Sequence, residues 1–441
     1  MVRVVLAACL TLAGCAAGPV PSGPDVLVIR DVALWDGTGG PRQPHATVLV
    51  RGDRVAAVGA VDEIAIPDGA EIVDGAGRFL IPGLIDMHVH ALWDPSVPPV
   101  FLPLFVAHGV TTVRDMGGVL DLLPATRSAL ADGSLVGPRL IAAGAILDGP
   151  APVHPEVSIA IDAPEEATAA VEAVAAAGAD FVKVYTLLPA AAFAAAVAAA
   201  AVRGLPVAGH VPYAVGPVAA AAAGMRTIEH LMSEVEGYCG RDRPEECAEI
   251  FAAFREHGTW QVPTLVLQGQ TEAGALCGDP RLRSLPRVVL VYWFDGATGP
   301  QGCAGAARSA VPFEPELPAE AWLVGALREA EVPVLAGTDT GVPYSLPGSS
   351  LHDELALLVE AGLTPREALL AATRDAVRAL GLGEELGTIE PGRVADMVLL
   401  GDDPLAGIRG SREIEAVVLR GRLLRRAELD SLLAGAGRGT P

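Results

Sequence analysis

The sequence predicts an α/β protein, an eight-stranded (β/α)8 TIM barrel with a small composite β-sandwich built from both chain ends. Three observations predict it. Short apolar or β-branched runs alternate with Ala/Leu-rich helical stretches through the middle of the chain, the rhythm of parallel βαβ units. Several of these runs end in His, Lys or Asp, at the strand ends over which a barrel's loops converge. Strand-like alternation also stands at both ends of the chain, outside that rhythm.

The N-terminal strand material is Val26–Ile29 and the pair of runs inside Thr47–Val58, where Gly52-Asp53 reads as a hairpin. Similar material returns in Ala395–Leu400 and Ile414–Arg422. Residues 25–78 and 385–425 are therefore expected to build the composite sandwich, and residues 79–384 the barrel. The eight barrel strands begin near Phe79, Gly109, Pro138, Asp180, Leu205, Met225, Thr259 and Val332. Their spacing is regular except between the seventh and eighth, where an insertion rich in Gly and Pro carries Cys277, Trp293 and Cys303 and has the length of a lid. The Ala-rich stretch from Pro189 to Val202 reads as an outer helix, because Ala is the best helix former.

At the N-terminus one positive charge, a short apolar stretch and small residues precede Cys15. The run is too short to span a bilayer and reads as a cleaved export signal over residues 1–14. Leu12-Ala13-Gly14-Cys15 resembles a bacterial lipobox, which implies lipid attachment at Cys15, a tether over residues 15–24 and a place in the cell envelope. In an oxidising compartment Cys239, Cys247, Cys277 and Cys303 can form disulfides with three connectivities, and short loops favour Cys239 with Cys247 and Cys277 with Cys303.

Composition narrows the partners. The 53 acidic residues outnumber 31 basic ones, for a net charge of −22, which argues against a phosphate backbone as ligand. A hydrophobic fraction of 51% with only 4% aromatic residues means that Ala, Val and Leu fill the core. A small molecule is the expected partner, membrane attachment runs only through the lipid anchor, and a homo-oligomer is compatible with the chain.

The densest motif is Asp86-Met87-His88-Val89-His90, closing the apolar run Phe79–Ile85. Side chains two apart on a strand share a side, so His88 and His90 can present two imidazoles to one metal ion. Lys183, His210, His230 and Asp339 follow, each at the end of its own strand candidate. Individually each has a bland reading: a strand-end lysine paired with Asp180 or Glu229, core histidines, a helix-capping aspartate.

Together with Ile81–His90, the phrases Ala336-Gly337-Thr338-Asp339, Glu360–Leu369 and Gly387–Val398 resemble the amidohydrolase superfamily, in the branch of imidazolonepropionase-like enzymes and metal-dependent Xaa-Pro dipeptidases. The resemblance runs from about Val26 to Arg422. It implies that His88, His90 and Asp339 hold a first metal, that His210 and His230 hold a second, and that Lys183 bridges them once carboxylated. An ammonium has no lone pair, so an unmodified lysine is no ligand. Two divalent ions are implied, with Zn leading and Mn, Co and Fe suited to the same donors. Asp339 would also be the general base that returns a proton to the leaving amine.

The expected reaction is cleavage of a C–N bond in a small amide or peptide-like molecule by a metal-activated hydroxide. A cyclic-amide hydrolase, lactonase or phosphotriesterase can use the same centre, and a non-catalytic binding lipoprotein is the reading from another class. Tyr185, Tyr213 and His154 are candidate substrate contacts. Arg114, Trp93 and Tyr344 also lie on C-terminal loops, with Asp115 or Asp86 as the expected partner of Arg114. His45, His108, His257 and His352 read as surface or packing residues.

Overall fold

The structure, a computed structural model, describes residues 26–231, 235–241, 243–268, 279–286, 289–290, 313–343 and 345–436. The export signal, tether and Cys15, together with Cys277, Trp293, Cys303 and Tyr344, lie outside the described residues. Five strands come first: β1 (Val26–Leu34), β2 (Gln43–Arg51), β3 (Arg54–Ala60), β4 (Glu71–Asp74) and β5 (Phe79–Pro82). The barrel region contributes β6 (Leu84–Val89), β7 (Val110–Asp115), β8 (Arg139–Ala142), β9 (Ile146–Asp148), β10 (Ser158–Ala160), β11 (Val182–Val184), β12 (Val207–Gly209), β13 (Met225–Glu229) and β14 (Trp260–Val262). β15 (Met397–Leu400), β16 (Ile414–Leu419) and β17 (Arg422–Arg425) complete the set.

Both chain ends enter one eight-stranded sheet ordered β17-β16-β15-β5-β1-β2-β3, with β4 on β1. The hairpin at Gly52-Asp53 sets the β2–β3 register, with Arg51 opposite Arg54. Residues such as Ile29, Val48, Leu80, Met397 and Val418 share one buried cluster, so the N-terminal strands and the C-terminal strands bury each other's apolar faces. The strands are hydrogen-bonded into a single system.

The apolar run that reads as the first barrel strand is divided. Phe79–Pro82 pairs antiparallel with β15 and joins the composite sheet, and the barrel starts at Leu84, beyond Gly83. The reason lies at the junction: a Cβ on Gly83 would stand 2.2 Å from Thr111 Oγ1, so only glycine lets the chain cross so close to β7.

The barrel strands are parallel and fall into two sheets, β6-β7-β8 and β10-β9-β11-β12-β13-β14. The break is inside the third strand, which pairs with β7 as β8 and with β11 as β9. Among the described residues no continuous ladder closes the ring. The eighth strand expected near Val332 forms isolated bridges, Val334 with Gln261 and Thr340 with Val89. Backbone hydrogen bonds still hold it on both sides, from Leu335 to the Gln261 carbonyl (2.8 Å) and from Asp339 to the His88 carbonyl (2.8 Å). Pro333 has no N–H to extend the ladder. The Ala-rich stretch is the helix Ala190–Arg203, ended by Gly204 at φ 69°, the usual left-handed stop. No described helix is long and apolar enough to cross a membrane.

Candidate metal centre

The C-terminal ends of β6, β13 and the eighth-strand segment bring His88, His230 and Asp339 together, with one donor atom of each within 4.8 Å of the others. All three are buried. His90 joins through its Nε2, 3.3 Å from Asp339 Oδ1, while His88 Nε2 lies 3.1 Å from the same oxygen. His210 follows, its ring centroid 4.7 Å from that of His230. Lys183 is fully buried on β11, with its Nζ 5.5 Å from the Tyr185 ring centroid. Gly209 makes that closeness feasible: at φ 133° it has no Cβ, and one built there would meet Val184 O at 2.2 Å and Lys183 Cδ at 2.8 Å.

Three imidazoles are fixed by their other nitrogen. His88 Nδ1 meets Glu229 Oε2 at 3.0 Å, His90 Nδ1 donates to the Gly117 carbonyl at 2.7 Å, and His230 Nδ1 meets Thr264 Oγ1 at 2.6 Å. The carboxylate and carbonyl partners make Nδ1 the donor in His88 and His90 and leave Nε2 with its lone pair toward Asp339, the arrangement by which outer partners orient histidine ligands, and the Thr264 hydroxyl fixes the His230 ring. Glu229 is itself fixed by Arg114, whose Nη2 donates to both carboxylate oxygens at 2.7 Å. Arg114 also reaches Met87 O and Thr227 Oγ1, so its partner is Glu229 and not Asp115 or Asp86. Asp115 instead accepts from the amides of Ala91, Leu92 and Gly117, and Asp86 accepts from Thr338. Of the two acids offered above as partners for Lys183, Asp180 pairs with Arg127 and Glu229 with Arg114.

Backbone strain is concentrated here. His230, Thr264 and Asp339 adopt φ of 65°, 51° and 58°, a region that non-glycine residues seldom enter and that marks sites held by their surroundings. The electrostatics suit cation binding. Burial pushes His230 down to about 3, and burial with the Lys183 charge holds His210 well below its ordinary value. Both imidazoles therefore keep their lone pairs at neutral pH. Burial pushes against ionisation of Glu229 and Asp339, but Arg114 beside the first and His88 beside the second hold both well below the usual carboxylate range. Buried His88 Nε2, His210 Nδ1 and Asp339 Oδ1 find no hydrogen-bond partner of acceptable geometry. Such atoms cost about 1–3 kcal/mol each unless something takes them. Burial draws His90 down, but the Asp339 hydrogen bond and the Asp339 and Asp115 charges raise it; neutral His210 and His230 with the ionised Asp339 carboxylate are donors that fit a divalent ion.

The cluster opens into a cavity of about 270 Å³ lined by His90, Trp93, His154, Glu156, Tyr185 and Val342 among others. His154 Nε2 lies 3.2 Å from the Tyr185 hydroxyl, so two of the three expected substrate contacts reach the cavity. Tyr213 does not: it is 61% exposed and absent from the lining, because its loop bends back through a hydrogen bond from Tyr213 N to the Thr186 carbonyl. Sequence reasoning missed Gly117, Glu229 and Thr264 as the groups that orient the histidines. The one local signal was the Thr227, Glu229 pair on one face of β13.

A model of the amidohydrolase family matches residues 79–424. The chain belongs to the amidohydrolase family. Among its curated relatives are imidazolonepropionases of Anaeromyxobacter sp., 28% identical over 434 residues (91% of this chain, 96% of that one), and of Ralstonia nicotianae, 30% identical over 407 residues (84% and 92%). Among solved structures, a Xaa-Pro dipeptidase with bound methionine superposes with a TM-score of 0.70 at 22% identity, covering 91% of this chain and 100% of that one, which speaks for the TIM-barrel-like fold. Bottromycin amidohydrolase superposes with a TM-score of 0.69 at 27% identity, covering 94% and 91%. As an amidohydrolase the chain is expected to depend on metal, and the cluster around Asp339 is its candidate centre.

Proposed function

We propose that this amidohydrolase cleaves the C–N bond of a small amide or peptide-like molecule at the cluster around Asp339. One observation carries the reading: His88, His90 and His230 each spend Nδ1 on a fixed partner, and His88 and His90 turn Nε2 toward one buried carboxylate, with His230 beside them. His88, His90 and Asp339 would hold one divalent ion and His210 and His230 a second, with Lys183 bridging as its carbamate and Zn the leading metal. Bound divalent ions supply a Lewis acid for the carbonyl and acidify water.

The chain's own groups do the rest. Asp339 takes the proton from the attacking water and returns it to the leaving nitrogen. The Arg114–Glu229 pair keeps His88 in one tautomer, and the His154–Tyr185 pair offers donors to the substrate. A cyclic amide is the second reading, favoured by the imidazolonepropionases among the relatives. Export with a lipid anchor at Cys15 is part of the proposal, supported by the Cys239–Cys247 disulfide.

The test combines metal analysis with kinetics. One to two equivalents of metal should copurify, and Asp339→Asn should retain metal while kcat for amide hydrolysis falls by about 10²–10⁴. Wild-type turnover in that variant would remove Asp339 as the base, and metal-free protein with full activity would remove the metal reading.

A further inference from the structure

The structure points to a substrate class: we propose that the outer part of the cavity selects molecules carrying a protonated amine, held by Glu156 beside the Trp93, His154 and Tyr185 rings. The proposal rests on the hydrolase reading and sharpens it.

Glu156 lines the cavity with an exposed side chain and is engaged in no ion pair or hydrogen bond among the described residues. The wall beside it is aromatic. Trp93 and His154 meet edge to face with centroids 5.2 Å apart, and His154 meets Tyr185 the same way at 5.5 Å. Burial draws His154 below its ordinary value, so at neutral pH the wall is uncharged. Among the described residues no Lys or Arg lines the cavity. A free carboxylate at the substrate's far end would thus face a carboxylate and three rings, whereas an ammonium would meet an ion-pair partner and π faces. The net charge of −22 also raises the local concentration of cations around the protein.

Three 4-nitroanilides of near-equal size test this with the zinc-loaded full chain: those of 3-aminopropanoic acid (cationic), succinamic acid (neutral) and succinic acid (anionic). The expected order of kcat/KM is cationic, neutral, anionic. Glu156 is exposed, so Glu156→Gln should lower the cationic-to-neutral ratio by only about threefold to fivefold, mainly through KM. Glu156→Lys should invert the order. A preference for the anionic anilide, or ratios unchanged in both variants, would overturn the proposal.

Calorimetric titration with benzyltrimethylammonium and phenylmethanesulfonate separates this from the hydrolase reading. If none of the anilides is cleaved, the linear-amide reading fails. Tighter binding of the ammonium, weakened in Glu156→Gln, would still support the charge selection, and equal or weaker binding would refute it.

Discussion

Among the described residues two buried polar clusters that contain histidines differ in how completely they are satisfied. In the first, His352 Nδ1 meets Ser411 Oγ at 2.9 Å and Nε2 donates to the His108 carbonyl at 3.0 Å. Its neighbour Asp353 is held by Arg281 and Arg412. In the second, around Asp339, three buried donor or acceptor atoms form no hydrogen bond of acceptable geometry, although His88 Nε2 and Asp339 Oδ1 face each other at 3.1 Å, and the backbone is strained at His230, Thr264 and Asp339. Buried polar groups are normally satisfied. The first cluster is therefore architecture that holds the helix Ser349–Glu360 to the short segments Ile408–Arg412 and Pro280–Ser284, and the second leaves donor atoms for a ligand.

The largest test of that contrast is to break one carboxylate in each cluster. Glu229→Gln leaves the guanidinium of fully buried Arg114 without a counter-charge, which costs about 3–5 kcal/mol. It also loosens His88, so metal affinity should fall by about 10- to 100-fold. Asp353→Asn leaves Arg281 and Arg412 partly reachable by water and should cost only about 1–2 kcal/mol. Its metal affinity should stay at the wild-type value. Urea unfolding and chelator competition measure the two quantities, and a metal defect in Asp353→Asn would erase the distinction between the clusters.

A smaller effect is expected from the backbone under the second cluster. Gly209→Ala forces a side chain to φ 133° and against Val184 O and Lys183 Cδ. The strain should cost about 1–3 kcal/mol and displace Lys183 from His210. Gly204→Ala, at a helix end where a Cβ meets nothing within 4 Å, is the control for backbone conformation alone. Equal metal content and activity in the two variants would mean that Gly209 does not set the spacing of the centre.

How much of this was legible in the sequence follows from the same geometry. His88 and His90 were readable because two-residue spacing on a strand is a local rule. The hairpin at Gly52-Asp53 and the outer helix ended by Gly204 were readable for the same kind of reason. Glu229 was not assigned, because alternation places adjacent Glu229 and His230 on opposite sides of β13. The left-handed His230, at φ 65°, breaks the alternation and lets both serve one centre. Thr264 and Asp339 break it in the same way on their own strands. Tyr213 lies outside the cavity lining, on a loop whose hydrogen bond from Tyr213 N to the Thr186 carbonyl is not legible in the sequence.

Glu354 gives the finest comparison, since it follows Asp353 in the chain yet belongs to neither pattern. Asp353 is ion-paired on both oxygens, whereas Glu354 is fully buried, accepts from Val266 N at 2.7 Å through Oε2 and has Oε1 unpartnered. Burial pushes its carboxyl up from 4.5 to about 8. Between those values the unfolded chain has lost the proton and the folded chain keeps it, so this group makes stability fall as pH rises from about 4.5 to about 8. The slope is at most about 1.4 kcal/mol per pH unit for one proton. Glu354→Gln keeps an acceptor for Val266 N and removes the titration, so its urea midpoint should fall less across that window than the wild-type midpoint. Parallel curves for the two proteins would show that Glu354 is already ionised in the fold, and that its second oxygen has found water or a cation near the segment that carries Thr264.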